Sequence, residues 1–94
     1  MKKRKKIYIG LTADILHHGH MNLLEEARKY GDIIIGLSTD AAVAEIKRLP
    51  YLNYKQREKI IKNFQGVTKI IPQKEWEETN NIRKIRPDFV VHGD

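Results

Sequence analysis

Two stretches of this chain, Ile7-Tyr8-Ile9-Gly10-Leu11 and Ile33-Ile34-Ile35-Gly36-Leu37, carry no charged or strongly polar residue at any position. A strand with one wet face alternates apolar with polar. A run without alternation suits a strand buried on both faces, which is the habit of parallel sheets covered by helices. Two further runs rich in strand-forming residues, Val67 to Ile71 and Phe89-Val90-Val91, repeat the theme. Phe89, Val90 and Val91 read as core.

Between these runs the period changes. Met21, Leu23, Leu24 and Ala27 recur at helical spacing, with Glu25, Glu26, Arg28 and Lys29 toward water, and Gly31 is placed to cap the helix C-terminus. Ser38-Thr39-Asp40 offers N-caps for a helix from Ala41 to Arg48, ended by Pro50. Asn53 can cap a helix from Tyr54 to Phe64 whose apolar side is Ile60, Ile61 and Phe64; Gly66 ends it. Pro72 should stop the third strand, and a last helix begins among Thr79, Asn80 and Asn81 and ends before Pro87. Strands alternating with helices predict a Rossmann-like three-layer α/β/α fold, a parallel sheet of four strands joined by right-handed crossovers.

Such sheets bind ligands outside the carboxyl ends of their strands. The polar residues collect at those ends: Thr12 to His20, Ser38 to Asp40, Gln73 to Trp76 and His92 to Asp94. One shared site is expected there.

Charge narrows the range of partners. The net charge is +6, but Lys2, Lys3, Arg4, Lys5 and Lys6 supply five of it, leaving +1 for the rest. Residues 1–6 therefore read as a basic lead-in and residues 7–94 as one domain, which is not basic enough to argue for nucleic-acid binding. Cysteine is absent, which excludes disulfides and thiolate metal sites. No apolar run reaches membrane-spanning length and the basic start lacks a signal-peptide pattern, so the expected setting is the cytoplasm.

The densest chemistry lies in Gly10-Leu11-Thr12-Ala13-Asp14-Ile15-Leu16-His17-His18-Gly19-His20, which joins the first strand to the first helix. At such a junction backbone N–H groups and the helix dipole favour an anion, phosphate above all. His17 and His20 are about one turn apart and can lean toward one point. Their imidazole N–H groups can donate to phosphoryl oxygens as charge builds in a transition state, and Gly19 gives a bulky anion clearance. His18 would project away. Asp14, His17 and His20 could alternatively hold a metal with one open position. Lys47 and Arg48 read either as a solvated face or as phosphate ligands, Arg57 passes as surface charge, and Trp76 is either partly buried or lines a pocket.

The series Gly10-x-Thr12-x-Asp14-x-x-His17-x-Gly19-His20, Leu23-Leu24, Ala27, Gly31-Asp32, Ser38-Thr39-Asp40, Tyr54-x-x-Arg57, Ile71-Pro72, Trp76-Glu77, Asp88-Phe89-Val90 and Gly93-Asp94 resembles the cytidylyltransferase family of the HxGH nucleotidyltransferases. The likeness runs from Lys6 to Asp94. Within the family it is similar to the enzymes acting on glycerol 3-phosphate and to domains attached to phosphoenolpyruvate mutase in phosphonate biosynthesis. Thr12-Ala13-Asp14 and Arg48-Leu49-Pro50-Tyr51-Leu52 lean toward the latter.

This resemblance implies in-line attack of a phosphate or phosphonate oxygen on the α-phosphorus of CTP, with pyrophosphate leaving and Mg2+ accompanying the nucleotide. Catalysis would rest on positioning and charge. By position, His17 and His20 would stabilise the transition state and the leaving pyrophosphate, Lys47 would contribute positive charge, and Arg57 would reach the substrate phosphate or the triphosphate. Gly10, Leu11, Thr12, Asp14, Gly19 and Asp94 would meet the nucleotide, and Ala13, Asp14, Lys47, Arg57 and Trp76 the acceptor. A homodimer is implied. Ala13 stands where the family commonly has phenylalanine, which should reshape the pocket beside Asp14. The family domain also continues past Gly93-Asp94 into a further strand and a triphosphate-binding segment, so weak or absent turnover is expected of this chain. The alternatives are a nucleotide-binding or assembly module without turnover, and adenylyl transfer from ATP.

Overall fold

The computed structural model describes residues 4–14, 18–46, 48–74 and 79–92, apart from the side chains at 46 and 92. Four parallel strands form one sheet: β1 (Lys5–Leu11), β2 (Gly31–Ser38), β3 (Val67–Gln73) and β4 (Phe89–His92), in the order β3-β2-β1-β4. The helices are α1 (His18–Arg28), α2 (Asp40–Ile46), α3 (Tyr54–Ile61) and α4 (Thr79–Ile85). This is the predicted Rossmann-like arrangement.

Strand order decides which face each helix covers. The chain steps β1 to β2 to β3 in one direction, through α1 and then α2 and α3, and returns across the sheet to β4 through α4. Right-handed crossovers put α1 and α3 on one face and α4 on the other. Ile7, Ile9 and Leu11 of β1 and Ile33, Ile35 and Leu37 of β2 accordingly form a core with Leu24 and Ala27 of α1 and Ile61 of α3. Removing each of these large aliphatic side chains from water stabilises the fold by about 1.5–3 kcal/mol. Tyr8 points to the opposite face, where Asn81 of α4 donates to its hydroxyl at 2.9 Å.

β1 is an inner strand, in register with β2 from Lys5↔Gly31 to Leu11↔Leu37 and with β4 from Ile7↔Phe89 to Gly10↔His92. Both continuous apolar runs are buried as expected. Asn53 caps α3 in a full capping box: its Oδ1 accepts from the Gln56 N–H, and its own N–H donates to Gln56 Oε1, both at 2.9 Å. Gly66 makes the following turn with φ +95°, and a Cβ there would sit 2.7 Å from Arg28 Cβ.

Several expectations need correction. The last strand is an edge: Phe89 is 50% and Val90 43% exposed, so they are not core, and Val91 is only partly buried. Pro72 does not stop β3. It sits inside that edge strand opposite Leu37, and its carbonyl accepts from Asn81 Nδ2 at 3.2 Å. Its ring nitrogen thus faces outward, where no ladder hydrogen bond is lost. Gly31 is the first residue of β2 rather than a left-handed cap; its small size is needed because a Cβ would lie 2.2 Å from the Lys5 carbonyl oxygen.

In α1 the buried stripe is His20, Leu24 and Ala27, and Met21 is exposed. Ile60 likewise leans to solvent, leaving Ile61 as the anchor of α3. The basic lead-in is partly strand, since β1 starts at Lys5. Arg4 pairs with Asp32 at 2.7 Å, and the Lys6 N–H donates to Asp88 Oδ2. Among the described residues no helix is long and apolar enough to cross a membrane.

Candidate active site

The junction after β1 lies at the carboxyl end of an inner strand, flanked by β2 and β4. Gly10 and Leu11 close the strand; Leu11 is core, so only its backbone can serve a ligand. Thr12 follows, 5% exposed. Ala13 then takes a left-handed conformation, φ 56°, unfavourable for a residue with a Cβ. The reversal sends its methyl into the core, where it is 2% exposed, so Ala13 does not line an open pocket as expected. On the other side of the junction, Gly19 is half-buried and His20 is 6% exposed in the first turn of α1. His18 is exposed, in keeping with its projecting away.

Asp14 is fixed from the far side of the site. Its Oδ2 accepts from Arg48 Nη1 at 3.0 Å and its Oδ1 from the Leu52 N–H at 3.2 Å. Burial pushes the carboxyl group's pKa up, but the hydrogen bonds from Arg48 and the backbone at Leu52 and Tyr51, with the charge of Arg48, outweigh it and hold the group below its ordinary value. Arg48 is itself held. Its Nη1 also donates to the Leu49 carbonyl at 3.1 Å, and its guanidinium lies 3.9 Å from the centroid of the Tyr51 ring.

Arg57 overturns its expected role. It is 0% exposed and donates through Nε to the Leu52 carbonyl (3.1 Å), through Nη1 to the carbonyls of Thr12 and Ser38 (both 2.7 Å), and through Nη2 to Asp40 Oδ1 (2.7 Å). Four of five N–H groups are thereby committed to the protein. Arg57 ties the ends of β1 and β2 to the start of α2 and to the loop before α3. It is a positioning residue, and here it does not reach toward an acceptor. Thr39 completes this corner: its N–H donates to the Gln73 carbonyl (3.1 Å) and its Oγ1 accepts from the Ala42 N–H (3.2 Å), the N-cap contact foreseen for α2.

The structure therefore brings Thr12, Asp14, His20 and Gly19 to one end of the sheet. His17, Lys47, Trp76 and Asp94 lie outside the described residues. Among the described residues no group of His, Asp and Glu is arranged to hold a metal ion, and both Asp14 oxygens are occupied by donors. Local sequence does not show the contact of Asp40, and it allows two readings of Arg48. Their signal was long-range pairing with Arg57 and Asp14, which no local pattern reveals. A cavity of about 510 Å3 lies elsewhere, between β3 and α4, lined in part by Lys69, Lys74 and Lys84.

The fold is that of the Rossmann-like α/β proteins. A crystal structure of a lipopolysaccharide core biosynthesis protein from Thermoplasma volcanium superposes with a TM-score of 0.82 at 22% identity, over 92% of this chain and 71% of that one. The family model described as cytidylyltransferase-like matches residues 7–94, and the chain belongs to that family. Glycerol-3-phosphate cytidylyltransferase of Bacillus spizizenii is 38% identical over 92 residues, 96% of this chain and 71% of that protein. Ethanolamine-phosphate cytidylyltransferase of Dictyostelium discoideum is 30% identical over 95 residues, 99% of this chain and 26% of that protein.

Proposed function

We propose that this chain transfers CMP from CTP to a small alcohol bearing a phosphate or phosphonate group, with release of pyrophosphate. The observation that carries this reading lies on the two described sides of the strand–helix junction: His20 is buried in the first turn of α1, and Thr12 to Asp14 are pinned by Arg57 and Arg48. Donors held in place before charge develops need no reorganisation in the transition state, and this is how a site without a covalent intermediate accelerates phosphoryl transfer.

In this reading the acceptor oxyanion attacks the α-phosphorus and the pyrophosphate oxygen departs on the opposite side. His17 and His20 donate hydrogen bonds to the phosphoryl oxygens, and Lys47 adds positive charge. Gly10, Leu11 and Gly19 offer backbone to the nucleotide beside Thr12, while Trp76 borders the acceptor and Asp94 the cytosine. Arg57 acts through the loop it holds. Mg2+ fits as a companion of the nucleotide, since Asp14 and Asp40 are both engaged by arginines and the metal would be held by phosphate oxygens and water. The active form is a homodimer.

Incubation with CTP, Mg2+ and glycerol 3-phosphate or 2-hydroxyethylphosphonate should release pyrophosphate. His17→Ala combined with His20→Ala should abolish that release without abolishing the fold. Turnover that persists in the double variant would sink the mechanism; nucleotide binding without any release would leave a binding module, and a preference for ATP over CTP an adenylyltransferase.

A further inference from the structure

We infer that Arg48 sets the acceptor preference of this site by masking Asp14, so that the chain selects an oxyanion-bearing alcohol with an uncharged remote end over one ending in an ammonium group. This rests on the transferase reading above and names the substrate class it takes.

The described strand ends carry two carboxylates, Asp14 and Asp40, and each faces an arginine. Asp40 is paired with Arg57 at 2.7 Å. Asp14 is paired with Arg48 at 3.0 Å, takes the Leu52 N–H on its other oxygen, and keeps only 10% of its side chain exposed. An acceptor with an ammonium end needs a carboxylate in a negative local field. Here the field beside Asp14 is that of an ion pair, and the exposed partner is the cation: the Arg48 side chain is 48% exposed. An approaching ammonium would meet the guanidinium first, and like charges brought together at a site are rejected strongly. A hydroxyl suffers no such penalty, because it can donate to a spare carboxylate lone pair or accept from an arginine N–H.

Arg48 is also held rigidly enough to act as a selector. Both Nη1 hydrogens have acceptors, Asp14 and the Leu49 carbonyl, and Tyr51 supports the flat face. Its partner contact spans 34 positions of sequence, so it is built by the fold rather than by neighbouring residues.

Glycerol 3-phosphate and phosphoethanolamine are matched probes, both phosphate monoesters, one with a neutral and one with a cationic end. Their kcat/KM values with CTP and Mg2+, and their binding by calorimetry in the presence of CTP, should be compared in the unmodified chain, Arg48→Lys and Arg48→Gln. The unmodified chain should favour glycerol 3-phosphate by about tenfold or more, the scale of one like-charge encounter at a partly desolvated site. Arg48→Lys should keep the preference. Arg48→Gln unmasks Asp14 and should shift the ratio toward phosphoethanolamine by about tenfold, a gain that Asp14→Asn in the same chain should remove.

An unchanged ratio in Arg48→Gln, or an initial preference for phosphoethanolamine, overturns the inference and leaves the transferase reading intact. If binding occurs without turnover, the binding ratio decides in the same way. If neither acceptor binds or reacts, the inference fails, and the transferase reading fails with it when 2-hydroxyethylphosphonate is not turned over either.

Discussion

Tyr8 of β1 donates its hydroxyl hydrogen to Gln73 Oε1 of β3 at 2.6 Å, although β2 runs between their strands. The contact exists because Gly36 of β2 has no side chain: a Cβ there would lie 1.6 Å from the Tyr8 oxygen and 2.3 Å from its Cζ. Gly36→Ala should therefore destabilise the fold by about 3 kcal/mol, combining overpacking with a lost buried hydrogen bond. Tyr8→Phe should not rescue it, because Cζ is still in the way. Urea unfolding of the single and double variants checks this; full rescue by Tyr8→Phe would show that the hydroxyl alone sets the clash.

Arg57→Ala should destabilise by about 3–5 kcal/mol, because it strands the carbonyls of Thr12 and Ser38 and leaves Asp40 without its partner. Arg57→Lys should recover little, since one ammonium cannot replace a fork that serves four acceptors. Any loss of pyrophosphate release in these variants should be accompanied by a lower urea midpoint. Lost activity at unchanged stability would instead place Arg57 against the substrate.

Asp14 gives a pH test. Its carboxyl is held below its ordinary value near 3.8, so the folded state gains from ionised Asp14 wherever the unfolded chain also carries it ionised. The stability difference between the unmodified chain and Asp14→Asn should be constant from neutrality to about pH 4 and shrink as pH falls further, through the folded pKa. A difference that grows on acidification would contradict the pairing with Arg48.

Asn53→Ala removes the side-chain acceptor of the α3 capping box, leaving the backbone N–H to Gln56 Oε1, and should lower stability by about 1 kcal/mol. Asn53→Asp should retain most of that contribution, since it keeps an acceptor for the Gln56 N–H. Thermal unfolding of the pair measures it.

What was legible in the sequence follows physical range. The apolar runs of β1 and β2, the Asn53 cap and the Thr39 cap depend on residues within a few positions, and the structure has them where expected. Phe89-Val90-Val91 has the same composition as an inner strand, yet lies at an edge, because strand order is settled by crossovers and not by the run itself. Met21 lost its core place to His20 for a related reason: spacing gives a helical face, and only the turn before the helix decides which residues that face shows to the sheet. Arg57 and Asp14 were the hardest. A buried guanidinium needs acceptors that lie 45 and 19 positions away, and nothing next to Arg57 announces them.

The two margins of the sheet differ in kind. Along β3 the margin carries Pro72 within the strand, with Lys69 on it and Lys74 just past its end, and these hinder another strand from lying alongside. β4 has no proline, Phe89 and Val90 are exposed on it, and a mostly apolar groove of about 320 Å3 runs between it and α1. The sheet thus has a polarity of growth: a fifth strand, whatever chain supplies it, has one welcoming margin, and it is the one next to the strand that leads into the candidate active site.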